Sequence, residues 1–78
     1  MFNDLIDQKT QKSIEGKMTS IVGRLKREIK DKGYRENMGQ KEARQFNDWL
    51  GKLMTEDKIS YSQMAKYSGQ MYEAIDQL

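Results

Sequence analysis

Apolar residues return every three or four positions through the first half of this chain, and that spacing constrains its fold more than any other feature. Placed at 100° per residue, those between Ser13 and Asp31 fall in one arc about 100° wide. The arc contains Ile14, Met18, Ile21, Val22, Leu25 and Ile29. We therefore predict an amphipathic helix over residues 13–31, followed by the basic Lys32 and by Gly33 as a C-cap.

A second periodic stretch follows a linker at residues 33–39. Its apolar residues share one helical face and comprise Ala43, Phe46, Trp49, Leu50, Leu53 and Met54. Asn37 is compatible with an N-cap, and Gln40 stands three residues later, as in a capping box. The stretch predicts a second helix, with Trp49 in the core because it lies squarely on the apolar stripe.

A third helix is predicted to begin at Tyr61. Ser60 can cap it, Gln63 can reach back to the Ser60 amide, and Ile59 can pack on Met64. The predicted inward arc of this helix holds Tyr61, Met64, Ser68, Met71, Tyr72, Ile75 and Leu78, flanked by Ala65, Tyr67 and Ala74.

The N-terminus carries a separate apolar patch, formed by Phe2, Leu5 and Ile6. If one straight helix contained both segments, the patch would lie on the side opposite to the apolar stripe of the first long helix. We therefore expect a break or bend within residues 9–16, or else a patch that another chain covers, as in a homodimer. Strand patterns are absent. Residues 1–78 are thus predicted to form a single compact all-α domain of three helices, with a short additional N-terminal helix.

The chain contains no Cys, no His and no Pro. The usual ligands of zinc, copper, haem and iron–sulfur clusters are therefore missing, as is the commonest general base, and we expect no cofactor. Ser62 and Lys66 stand one helical turn apart, a spacing that arises often by chance, so we expect no enzymatic activity. Lack of Cys suits a reducing cytoplasm. No apolar run reaches the roughly 18 residues of a membrane span, so we expect neither a membrane segment nor secretion.

Positive charge is concentrated early in the chain, although the net charge is only +2. Residues 8–35 contain nine Lys and Arg against three acids, and most of these cations lie opposite the apolar stripe, around Gly16 and Gly23. This face could track nucleic-acid phosphates, with the glycines allowing close approach, or it could be a solvated surface. The candidate contacts with a partner or nucleic acid are Lys9, Lys12, Lys17, Arg24, Lys26, Arg27, Lys30 and Arg35.

Residues 60–75 resemble the helix-turn-helix motif through Ala65, Gly69 and Ile75. The resemblance implies a turn at the glycine and a DNA-recognition helix over residues 71–78. Polar residues flank Gly69, however, and that recognition helix would carry Glu73 and Asp76, which repel phosphates. An uninterrupted helix is the favoured interpretation.

Aromatic residues could stack bases or anchor a protein interface. The candidate interface residues are Phe2, Leu5, Ile6, Tyr67 and Tyr72. In size and composition the chain is similar to small regulators and inhibitors carried by phages and mobile elements, which act on host enzymes or nucleic-acid machinery. We therefore predict a small cytoplasmic interaction protein that regulates or inhibits a larger protein. The alternative is a DNA- or RNA-binding regulator, which the modest net charge disfavours.

Overall fold

The computed structural model describes residues 7–78, which form three α-helices and no strand. The helices are α1 (Gln8–Lys32), α2 (Gln40–Thr55) and α3 (Tyr61–Asp76). The prediction of an all-α fold with three helices is confirmed. The predicted short N-terminal helix and its patch of Phe2, Leu5 and Ile6 lie outside the described residues.

Helix α1 starts earlier than its apolar stripe. It begins at Gln8 and runs unbroken to Lys32, so the break predicted within residues 9–16 is wrong. Its first two turns are polar but contain good helix formers, and the side chain of Gln11 donates to Glu15 one turn later at 3.3 Å. The glycine stop is confirmed, since Gly33 has φ +84° and its N–H donates to the carbonyl of Ile29 at 2.8 Å.

The start of α2 differs from the sequence prediction. The side chains of Gln40 and Asn37 do meet, at 3.2 Å, but Asn37 is not the N-cap. Gly39 holds that position with φ +88°. A Cβ at Gly39 would lie 2.9 Å from Cγ2 of Ile75 and 3.2 Å from Cδ1 of Leu25. The backbone conformation and the close approach of both neighbours therefore call for glycine here.

Helix α3 starts as predicted. The Ser60 hydroxyl accepts from the Gln63 N–H at 3.1 Å, and the Gln63 side chain accepts from the Ser60 N–H at 2.9 Å, which completes the capping box. The helix then continues without interruption through Gly69 to Asp76. The turn implied by the helix-turn-helix resemblance is therefore absent from α3.

Helices that follow each other in the chain run antiparallel, whereas α1 and α3 run parallel, with Glu15 near Tyr67 and Lys26 near Ala74. Lys17, in the first half of α1, lies over the ring of Trp49 near the end of α2, whereas Leu25 lies beside Gly39 at the start of α2. Gly39 also meets Ile75 at the end of α3, so α3 returns along α2. The bundle measures 44 × 19 × 18 Å. Because α1 has 25 residues and its neighbours 16 each, α1 is about 13 Å longer than they are.

One core joins the three helices. Its largest fully buried side chains are Ile14, Leu25, Phe46, Leu50 and Met71. Trp49 is only half-buried at the α1–α2 edge, so its predicted place on the stripe is right but its burial is incomplete.

The inward face of α3 is rotated from the predicted arc. Gln63 and Tyr67 are buried, whereas Tyr61 and Tyr72 point to solvent. The prediction of Tyr67 as an exposed contact residue is therefore wrong. The reason is that α1 packs along the Tyr67 and Ala74 side of α3, and the periodicity of α3 alone does not reveal on which side a third helix lies.

Candidate functional site

The large hydrophobic side chains that residues 7–78 leave exposed are all tyrosines. Tyr34 is 62% exposed, Tyr61 71% and Tyr72 47%. Tyr61 and Tyr72 are eleven residues apart, which is three helical turns, so they lie on the same side of α3 about 16 Å apart. Tyr34 lines the same cavity as Tyr72. These three residues, with the α2 and α3 side chains between them, are called the tyrosine face below.

The tyrosine face turns away from α1. Ala74 and α1 line one shallow groove, and Tyr72 lies two residues from Ala74, about 200° around the helix axis. At the middle of the face, the Ser68 hydroxyl donates to the side-chain oxygen of Asn47 at 2.8 Å and ties α3 to α2. Tyr61 and Tyr72 thus lie beside two helices that share a core, whereas Tyr34 belongs to the linker between α1 and α2.

A cavity of about 340 Å³ opens beside Tyr72. The start of α2 and the end of α3 form its walls, and Met38, Ala43 and Ile75 are its apolar residues. Its charged lining residues are one cation, Arg44, and two acids, Glu36 and Asp76. The cavity can therefore receive an apolar side chain and orient a polar group next to it.

Five of the eight cations predicted as contacts share the outer side of α1. They are Lys9, Lys12, Lys26, Arg27 and Lys30, and all five are exposed. The small residues Gly16, Thr19, Ser20 and Gly23 lie between them on the same side. These nine residues are called the α1 basic face below.

The other three predicted cations lie elsewhere. Lys17 sits at the α1–α2 edge, with its ammonium 4.9 Å from the ring centroid of Trp49. Arg24 is exposed at the same border of α1. Arg35 lies in the linker, and its guanidinium is 3.9 Å from a carboxylate oxygen of Glu28. Lys17 and Arg35 therefore have contacts within the chain.

The candidate interface residues are split by the structure. Tyr72 lies on the tyrosine face, Tyr67 is buried in the core, and Phe2, Leu5 and Ile6 lie outside the described residues. Burial, and after it the negative charge of Glu15, raises the pKa of Tyr67 above its ordinary value of 10.0. Sequence reasoning left Tyr34 and Tyr61 out of the interface. The eleven-residue spacing of Tyr61 and Tyr72 was the available signal for pairing them.

A cavity of about 750 Å³ lies at the opposite end of the bundle. It opens between the start of α1 and the α2–α3 loop, and Trp49 and Leu53 form its apolar wall. The remaining lining residues are polar or charged and comprise Asp7, Lys9, Thr10, Ser13, Glu56, Asp57 and Lys58. Among residues 7–78 no group of three or more carboxylates is arranged to hold a metal ion. No helix in that range is long and apolar enough to cross a bilayer.

No protein-family model, curated protein or solved structure matches this chain.

Proposed function

We propose that this protein is a small non-enzymatic regulator that binds a larger protein through its tyrosine face. The observation that carries the proposal is that the three exposed tyrosines, Tyr34, Tyr61 and Tyr72, share one side of the molecule. Tyr34 and Tyr72 line one cavity, and Tyr61 lies three helical turns from Tyr72 on the same side of α3. Tyrosine is enriched at the energetic centres of protein interfaces, because its ring offers a large contact area with few rotatable bonds and its hydroxyl can hydrogen-bond.

The packing of α2 against α3 supports this proposal. Phe46 and Leu50 of α2 and Met71 of α3 are fully buried, and the hydrogen bond from Ser68 to Asn47 joins the two helices between Tyr61 and Tyr72. A surface that is already ordered loses little conformational entropy on binding. The cavity beside Tyr72 provides a concave seat for one side chain of the partner.

We place this interaction in the cytoplasm, since a chain without Cys needs no oxidising compartment to fold. Direct binding of nucleic acid, the alternative drawn from the sequence, would use the α1 basic face on the other side of the molecule. The main alternative is that the tyrosine face binds a second copy of this chain and forms a homodimer.

Site-specific photocrosslinking tests the proposal. A photoreactive phenylalanine analogue is placed at Tyr61 or at Tyr72, and at two exposed control positions that face elsewhere, Lys52 on α2 and Gln70 on α3. We expect adducts with one larger protein from the tyrosine positions and none from the controls. Mass spectrometry of the adduct separates a larger partner from a second copy of this chain.

Quantitative binding to the captured partner completes the test. Changing Tyr34, Tyr61 and Tyr72 together to Ala should weaken affinity at least 30-fold, equivalent to about 2 kcal/mol. Circular dichroism should show the same helix content and unfolding midpoint, because all three side chains are exposed. Equal crosslinking at the control positions, an adduct of two copies of this chain, or unchanged affinity of the triple variant would overturn the proposal.

A further inference from the structure

The α1 basic face carries cations and no acid. The two acids between Gln8 and Lys30 lie outside the α1 basic face. Glu15 lies at the edge of the face near α3, and Glu28 lies on the side of α1 that meets the linker. Asp31 follows at the other edge. The outer side of α1 is therefore a stripe of one sign that runs for about 31 Å, from Lys9 to Lys30.

The cations of this stripe are not neutralised inside the described chain. The ion pairs of residues 7–78 join Arg35 to Glu28 and Lys58 to Glu56, and neither pair uses a residue of the α1 basic face. Within residues 7–78 these five exposed side chains have no acidic partner, and a polyanion that binds them releases counterions with a gain in entropy.

The spacing along the stripe is what points to a particular polyanion. Lys12 and Lys26 are 14 residues apart, about 21 Å along the axis, and between them the outer side carries only small uncharged residues. That small central section, from Gly16 to Gly23, is about 10 Å long. It compares with a width of about 12 Å for the major groove of B-form DNA, which separates the two phosphate rows that border it.

We propose that the α1 basic face binds double-stranded DNA, with α1 laid across the major groove. In this arrangement α1 bridges the groove, and the small residues Gly16 and Ser20 let the helix approach the DNA closely between the two phosphate rows. The cations at the two ends, Lys9 and Lys12 on one side and Lys26, Arg27 and Lys30 on the other, contact the phosphate rows that border the groove. Because α1 is about 13 Å longer than α2 and α3, its C-terminal end can reach the second row ahead of the bundle.

Other polyanions fit this face less well. The major groove of A-form RNA is too narrow and deep for a helix. Single-stranded nucleic acid is held by aromatic stacking, and the large aromatic side chains exposed among residues 7–78 lie on the tyrosine face, away from α1. An acidic protein would need two carboxylate clusters at a matching separation, whereas every duplex presents phosphates in regular rows. The inference does not rest on the proposed protein partner, because it concerns a different face.

Fluorescence anisotropy with a labelled random-sequence 20-base-pair duplex tests the proposal. At about 50 mM salt we expect a dissociation constant in the micromolar range, and log K against log salt should have a slope of about −4 to −5 for five phosphate contacts. Lys12→Ala should reduce the magnitude of that slope by about 1.

A matched pair of charge reversals provides the control. Changing Lys12, Arg27 and Lys30 to Glu should abolish binding, while changing Lys41, Lys52 and Lys66 to Glu alters net charge equally but should weaken binding less than 10-fold. The triple tyrosine-to-Ala variant should bind the duplex with unchanged affinity, which separates this test from that of the protein partner.

Three outcomes would overturn the inference. One is no binding to the duplex at about 50 mM salt with 100 μM protein. Another is equal loss in the two reversal variants, which would mean that net charge alone is responsible. The last is equal or tighter binding of single-stranded DNA, duplex RNA or poly-glutamate at the same salt, which would assign the face to that polyanion instead.

Discussion

The hydroxyl of Ser68 donates a hydrogen bond of 2.8 Å to the side-chain oxygen of Asn47, and this bond joins the midpoints of α2 and α3. Both side chains are half-buried, so water competes for them only in part. Ser68→Ala should lower the free energy of unfolding by about 0.5–1.5 kcal/mol. In a double-mutant cycle with Asn47→Ala, measured by urea denaturation, the two losses should not add. Additive losses would mean that the two side chains stabilise the fold independently.

Two glycines should respond in opposite directions to a methyl group. Gly39→Ala should destabilise the fold by more than 1 kcal/mol, since φ is +88° and the new Cβ would lie 2.9 Å from Ile75. Gly69→Ala should stabilise it by about 0.5–1 kcal/mol, because Gly69 lies inside α3 and its Cβ would meet nothing within 4 Å. Thermal and urea unfolding check both. Destabilisation by Gly69→Ala would contradict an uninterrupted α3.

Leu50 should be among the residues that stabilise the core most. Its side chain is fully buried, and Leu50→Ala is expected to lower the free energy of unfolding by about 2–5 kcal/mol through lost burial and a cavity. Lys52→Ala, two residues away and exposed, should change it by less than 0.5 kcal/mol. If Leu50→Ala does not fold, Leu50→Met still should, at a loss below about 1.5 kcal/mol. If Leu50→Ala lowers the free energy of unfolding by less than 1 kcal/mol, α2 is not at the centre of the core.

Tyr67 should make the fold sensitive to alkali. Because burial and Glu15 raise the pKa of its phenol above 10.0 in the folded state, the unfolded chain releases the proton first as pH increases. Its contribution to stability is therefore complete below about pH 10 and is lost as pH rises through the folded-state pKa. Comparison of urea unfolding at pH 8 and pH 11 should show a smaller decline for Tyr67→Phe than for the unchanged protein. Identical declines would show that other groups account for the alkaline loss.

The number and approximate placement of the helices could be predicted because each helix carries its own periodic stripe and its own end signals. The box of Ser60 and Gln63 and the stop at Gly33 are local features, and both are found as predicted. Local information was insufficient at the start of α2. There Gly39 is required by Leu25 and Ile75, which are distant in sequence.

The candidate surfaces were predictable to different extents. The α1 basic face follows from spacing within one helix, so its five cations could be assigned to one side without knowledge of the rest of the fold. The tyrosine face could not, because Tyr34 joins Tyr72 only through the tertiary arrangement, and because the packing of α1 decides which side of α3 is buried. For this reason Tyr67 was assigned to the surface and Tyr61 to the core.

The unequal helix lengths give α1 two regions of different local stability. Around Ile14 and Leu25 the helix is buried against its neighbours, and its amides should exchange with solvent deuterium only when the whole domain opens. The last turn, residues 30–32, follows Ile29, the final side chain of α1 that packs against the core, and should lose protection by fraying. Lys30 lies in that turn, and Lys26 and Arg27 lie in the turn before it. Slower amide exchange there is thus the change by which a bound polyanion would be most readily detected.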